Sequence, residues 1–225
     1  DCNGAEVKII SEDVRVWNHP TLSSIVLNFI LREDISPSCT VVDGSPPMLE
    51  CGAGSAAGNG VGAIERITYR SSPISIDGVP PAEGWIFTYE NFSRSNAISN
   101  LSDPSTFGIT LAAKMFANPN SIDNTCTDSS PSFLQSPHFV TCAGSDYRYT
   151  MNAIDTDLDS LHFKFGIPYD YFPVGVYDPP TNPMPVPFES GYSYDSPTPD
   201  SDVDANNIPA SIDPSTGEIV FTSFN

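Results

Sequence analysis

Apolar and polar residues alternate with a period of two along much of the chain. That is the repeat of half-buried β-strands, whose successive side chains point to opposite faces. Glu6-Val7-Lys8-Ile9-Ile10 opens the series, and Ser24 to Leu31, SIVLNFIL, is apolar enough to read as a central strand. Further strands are expected over 64–69, 73–76, 85–89, 107–116, 147–151 and 161–165. Near the C-terminus Ala210-Ser211-Ile212 and Glu218-Ile219-Val220-Phe221-Thr222 flank Asp213-Pro214-Ser215-Thr216-Gly217, which reads as strand, tight turn, strand. Residues 169–207 are rich in Pro, Tyr, Ser and Asp with no period, so a long ordered loop or extended excursion is expected there. No segment carries the 3.6-residue period of an amphipathic helix. The fold class is therefore all-β, read as two β-sandwich domains in tandem, 1–134 and 135–225, meeting in the proline-bearing passage around 130–140.

Composition supports that reading. With 22 Pro and 15 Gly in 225 residues, a helical bundle is disfavoured, because proline breaks helices and is tolerated mainly in turns and edge strands. Hydrophobic residues at 39% are still enough for a packed core. Charge narrows the choice of partners. Nine Lys+Arg against 28 Asp+Glu give a formal net charge of −19, which opposes nucleic acid and anionic membrane surfaces alike. No run approaches the roughly 20 apolar residues of a membrane span. The acidic excess points instead to solubility in an extracellular medium and to binding of hard cations such as calcium. The opening Asp1-Cys2-Asn3-Gly4, without Met or signal-peptide pattern, reads as a mature or excised piece.

Five cysteines, Cys2, Cys39, Cys51, Cys126 and Cys142, contain no CxxC pair, and His19, His138 and His162 are scattered, so a zinc site is disfavoured. The spacings suggest two local disulfide loops, Cys39 to Cys51 and Cys126 to Cys142, each adding roughly 3 kcal/mol in an oxidising, secreted setting. Cys2 is left over, with a partner upstream or on another chain. The competing reading is five buried reduced thiols.

Asp155, Asp157 and Asp159 form the sharpest chemical signal. Three carboxylates at alternate positions in one short loop can supply several of the six to eight oxygens that calcium takes. The same residues also suit a polar turn whose side chains bond their own backbone. Catalysis has less support. Paired glycosidase acids come from separate strands across a cleft, no GxSxG elbow is present, and no cysteine lies near a histidine in sequence. The glycine-rich stretch 51–60 lacks the Gly-Lys-Ser/Thr ending of a phosphate loop and reads as a surface loop. Trp85, Phe87 and Tyr89 share one strand face and read as core before sugar platform. Tyr169, Tyr171, Tyr177, Tyr192 and Tyr194 offer a stacking surface, with Tyr192 and Tyr194 the candidates for a glycan ligand. Asn91-Phe92-Ser93 and Asn100-Leu101-Ser102 match glycosylation sequons.

Taken in order, several of these segments resemble a family of large secreted proteins of Bacteroidota, gliding-motility-associated or PKD-domain-containing. The resemblance rests on Asp1-Cys2-Asn3-Gly4, on Arg94-Ser95-Asn96-Ala97-Ile98-Ser99-Asn100, and on Cys126 and Cys142 around Ser130-Pro131-Ser132-Phe133. It continues through Asp155 to Leu161 and the closing Ile212-Asp213-Pro214-Ser215-Thr216-Gly217, the last also typical of cadherin-like and Ig-like bacterial surface modules. Phe92-Ser93 stands where members often carry a cysteine pair, and Leu158 where the Asp loop usually has glycine. The resemblance implies Ig-like or cadherin-like domains incomplete at the chain ends, the first lacking its first strand and the second its last strand or strands. The chain would then be a fragment of a longer protein, or be completed by a strand from a neighbouring copy.

The function expected from these readings is a non-catalytic structural or adhesive module of a long extracellular cell-surface protein or filament, exported by type IX secretion. Calcium is the expected cofactor. The expected partners are copies of itself or neighbouring domains of the same chain, together with surface glycans or other cells. The alternative is a glycan-binding module of a secreted surface protein.

Overall fold

The computed structural model describes residues 10–34, 65–92, 94–117, 129–135 and 143–224. The chain is all-β: among the described residues the regular elements are strands and a single turn of 3-10 helix, Pro104–Thr106. It divides into two compact units, Asp1–Arg15 with Leu22–Asp77, and Val16–Thr21 with Gly78–Asn225. The stretches 6–9 and 51–60 and all five cysteines, hence both expected disulfides, lie outside the described residues.

In the first unit β1 (Ser11–Trp17, which ends in the second unit) pairs antiparallel with β2 (Ser24–Asp34), Ser11 opposite Asn28 and Arg15 opposite Ser24. On its other side β2 pairs with β3 (Glu65–Arg70), from Asn28 opposite Arg70 to Asp34 opposite Glu65. Strand β2 is therefore central in its ladder, as its apolar run requires. Ile25, Leu27 and Phe29 are half-buried, whereas Val26 and Ile30 on the alternate positions are exposed. The register slips between Phe29 and Leu31, leaving Ile30 as the extra residue of a bulge. Just before the slip, Phe29 meets Tyr69 edge-on at 6.1 Å between ring centres, a favourable cross-strand aromatic pair.

The second unit is built on β4 (Trp85–Asn91) and β5 (Ile109–Met115), antiparallel from Trp85 opposite Met115 to Asn91 opposite Ile109. Strand β4 is covered on both faces: Trp85 is 2% exposed, Ile86 is buried, and Thr88 is wholly buried. Burying the Thr88 hydroxyl is tolerable because Trp17 Nε1 donates to its Oγ1 at 2.9 Å. The Trp17 ring in turn stacks on Phe172 with centroids 5.8 Å apart. Two small ladders complete the unit. Strand β6 (Ser132–Phe133) pairs with β8 (Ala153–Ile154), and β7 (Asp146–Tyr149), β10 (Ile219–Thr222) and β9 (Ile208–Ile212) form a sheet in the order β7-β10-β9.

The β9–β10 hairpin follows the sequence reading closely. Asp213 Oδ1 accepts from the backbone N–H of Ser215 and of Thr216, both at 2.8 Å, and Gly217 N donates to Asp213 O at 2.9 Å. Gly217 has φ +70, a conformation that costs a side-chain-bearing residue, and the Phe163 ring lies where a Cβ would stand.

The proline-rich excursion after Tyr169 is part of this core. Phe172, Pro183 and Val186 are buried, and Val186 N donates to Pro168 O at 2.8 Å. Tyr169 bridges β5 at Thr110, and Asp170 Oδ1 accepts from the N–H of Gly108 and of Tyr171, each at 2.6 Å. The approach at Gly108 is so close that a Cβ there would collide with Tyr171 Cβ and with the Asn91 carbonyl. Further along, the Asn182 side-chain amide donates to Val174 O and Val176 O, at 3.1 and 2.9 Å, and holds that part of the excursion closed on itself.

Candidate functional site

The Asp155–Asp159 loop follows β8 directly. Asp155 Oδ1 accepts from the backbone N–H of Asp157 at 2.9 Å and of Asp159 at 3.3 Å, and Leu158 N donates to Asp155 O at 3.4 Å. Asp157 Oδ2 accepts from Ser129 N at 2.6 Å. Leu158 takes φ +66, a left-handed conformation uncommon for a residue with a side chain, and is 90% exposed. These bonds make a polar turn in which carboxylates satisfy backbone donors, the second of the two readings the sequence allows. Among the described residues no three His, Cys, Asp or Glu side chains gather as a metal-holding group.

The second candidate lies within the unit Gly78–Asn225. The bridge between Leu101 and Phe188, with Ser102 N donating to Pro187 O and Glu189 N to Asn100 O, lays the excursion along the 94–102 segment. A cleft of about 310 Å³ opens beside this seam. Its apolar wall is made by Leu101, Phe165, Pro168, Phe188 and Pro197, and Tyr194 stands at its edge, 43% exposed. Asn100 pins the far side by donating from Nδ2 to Pro197 O at 2.7 Å. Arg94 brings the positive charge. Its Nε donates to Gly108 O at 2.8 Å and its Nη2 to Tyr169 O at 3.3 Å. Burial lowers the Arg94 pKa from its usual value, and the neighbouring Asp170 carboxylate opposes that shift. The guanidinium thus faces protein carbonyls and a carboxylate.

The candidate tyrosines separate in this structure. Tyr194 lines the cleft; Tyr192 is half-buried and its N–H closes a turn onto Glu189 O at 3.1 Å. Tyr171 packs against Phe92 and Tyr177 against Phe172, both at 5.9 Å between ring centres, so these rings serve packing. Burial, with Tyr169 beside it, pushes the Tyr177 phenol above its ordinary pKa. Trp85 is core, as its strand pattern suggested, with His19 tilted over its ring at 4.8 Å. Phe165, Phe188 and Pro197 come together from segments far apart in sequence, and no local spacing marks them as one site.

Asn91 and Asn100, the sequon asparagines, differ in setting: Asn91 is exposed at the end of β4, whereas Asn100 is half-buried and committed to Pro197. No helix among the described residues is long and apolar enough to cross a membrane. No protein-family model, curated protein or solved structure matches this chain.

Proposed function

We propose that this chain is a non-catalytic structural and adhesive module of a long extracellular cell-surface protein. The observation that carries this reading is the fate of the proline-rich excursion. A segment without regular secondary structure is tied to β5 and the 94–102 segment by backbone hydrogen bonds, and it contributes Phe172, Pro183 and Val186 to the core. Such a segment resists local unfolding instead of serving as a mobile lid. The net charge of −19 suits an exposed, soluble surface, and an Ig-like or cadherin-like sandwich architecture belongs with this proposal. An antibody raised against the chain is expected to label intact producing cells, and in-frame deletion of these residues to reduce their attachment. Labelling only after permeabilisation contradicts the reading.

Calcium remains the proposed stiffening ion at Asp155, Asp157 and Asp159. The Asp155 and Asp157 carboxylates have acceptor sites beyond the N–H groups they already serve, but the loop must rearrange for these and Asp159 to converge. A melting midpoint that rises in calcium and falls with chelator supports the ion. An unchanged midpoint assigns the loop to the polar turn alone.

A second reading, a glycan-binding module, is favoured by one specific observation: Tyr194 stands at the edge of a cleft walled by aromatic and proline rings. On a glycan array, binding that weakens on Tyr194→Ala supports it, and a silent array removes it.

A further inference from the structure

The cleft between the 94–101 segment, Phe165–Pro168 and the excursion has a chemistry of its own. It is small, about 310 Å³, near the lower end of the range of roughly 300–1,000 Å³ seen for small-ligand sites, so it admits a ring or two and no long polymer cross-section. Phe165, Phe188 and Tyr194 give it aromatic surface, and Pro168 and Pro197 give it rigid saturated rings. Flat apolar surface edged by amide and hydroxyl groups is what the C–H face of a sugar ring requires, with its hydroxyls directed outward.

Charge then selects among sugars. Arg94 is the one cationic residue lining the cleft among the described residues, and its guanidinium donates to Gly108 O and Tyr169 O beside Asp170. The chain as a whole carries −19, so an acidic sugar would approach against the molecule's own field. A peptide strand is also poorly served. The backbone along the seam is already paired, Leu101 with Phe188, Ser102 N with Pro187 O and Glu189 N with Asn100 O, leaving this stretch no open ladder for strand addition.

We infer that this cleft seats the apolar face of a neutral pyranose against Tyr194, Phe165 and Phe188, an inference that rests on the glycan-binding reading above. Gly166, on the cleft wall, provides a way to block it. A Cβ at Gly166 meets no atom within 4 Å, and its φ lies outside the left-handed region, so a side chain there is accommodated by the fold.

Saturation-transfer NMR on the full chain tests the inference, with maltose, cellobiose and lactose as neutral probes, digalacturonate as the acidic one and an octaproline peptide as the rival ligand. Transfer is expected from at least one neutral disaccharide, strongest at its ring C–H protons. Binding should be about threefold to tenfold weaker in Tyr194→Ala, by loss of one stacking ring, and abolished in Gly166→Trp. Gly166→Ala and Tyr194→Phe should retain it, and unchanged melting of all four variants shows the fold intact. Equal transfer in wild type and Gly166→Trp overturns the cleft assignment while leaving the glycan reading standing. Stronger transfer from digalacturonate or from the peptide overturns the neutral-sugar assignment. Transfer from none of the three disaccharides overturns it as well; in that case a positive glycan array leaves the broader reading alone, and a silent one removes both.

Discussion

Thr88 and Trp17 show how a single polar residue is made tolerable in this core. A threonine with no exposed surface loses its water, and the Trp17 indole N–H at 2.9 Å replaces it while the ring packs on Phe172. Trp17→Phe keeps most of the ring contact and removes the donor. It should cost about 1–3 kcal/mol, the range for a buried polar group deprived of its partner. Chemical denaturation checks this, and Trp17→Phe combined with Thr88→Val should cost less than the sum of the two single changes. None of this was legible in the sequence. A threonine on a predicted strand is unremarkable, and its partner lies 71 residues away.

The closing hairpin was legible because its chemistry is local. In Asp213-Pro214-Ser215-Thr216-Gly217 one carboxylate reaches two backbone N–H groups within three residues, and glycine takes the left-handed position that ends the turn. These donors, Thr216 first and then Ser215, hold the Asp213 carboxyl below its ordinary pKa. A folded-state value below the unfolded one means that the ionised form favours the hairpin. Its contribution is therefore complete above the unfolded value, about 4, and is lost as pH falls through the lowered folded value. Thermal melts through that acid window should show a decline in stability that is shallower in Asp213→Asn, whose carbonyl accepts the same bonds without titrating. Equal slopes would show that Asp213 does not contribute.

Other elements were legible to differing degrees. Strand β2 emerged from its apolar run and β4 and β5 from local patterning, whereas Pro73–Ile76 alternates and joins no ladder among the described residues. The run from Leu161 to Phe165 alternates in exposure but is held by Phe163 N donating to Pro214 O and by its ring over Gly217, contacts made far along the chain. Tyr192 and Tyr194, two apart, share a face only on a strand. Ser193 and Ser196 exchange backbone hydrogen bonds at 3.2 and 3.3 Å, so the segment turns there, and Tyr194 alone of the two lines the cleft. That cleft was illegible for the same reason: its walls come from residues 94–101, 165–168 and 188–197, and tertiary pairing alone brings them together.

At the scale of the molecule, the proposed output is resistance to force, carried by antiparallel ladders and by an excursion locked into the core of the second unit. Single-molecule pulling on the chain between its two ends measures this directly. A distinct unfolding event is expected for the unit Gly78–Asn225, with the excursion released together with β4 and β5, because Tyr169, Asp170 and Val186 are bonded into the same framework. A smooth low-force extension, or separate early release of residues 169–207 before the strands yield, would contradict it.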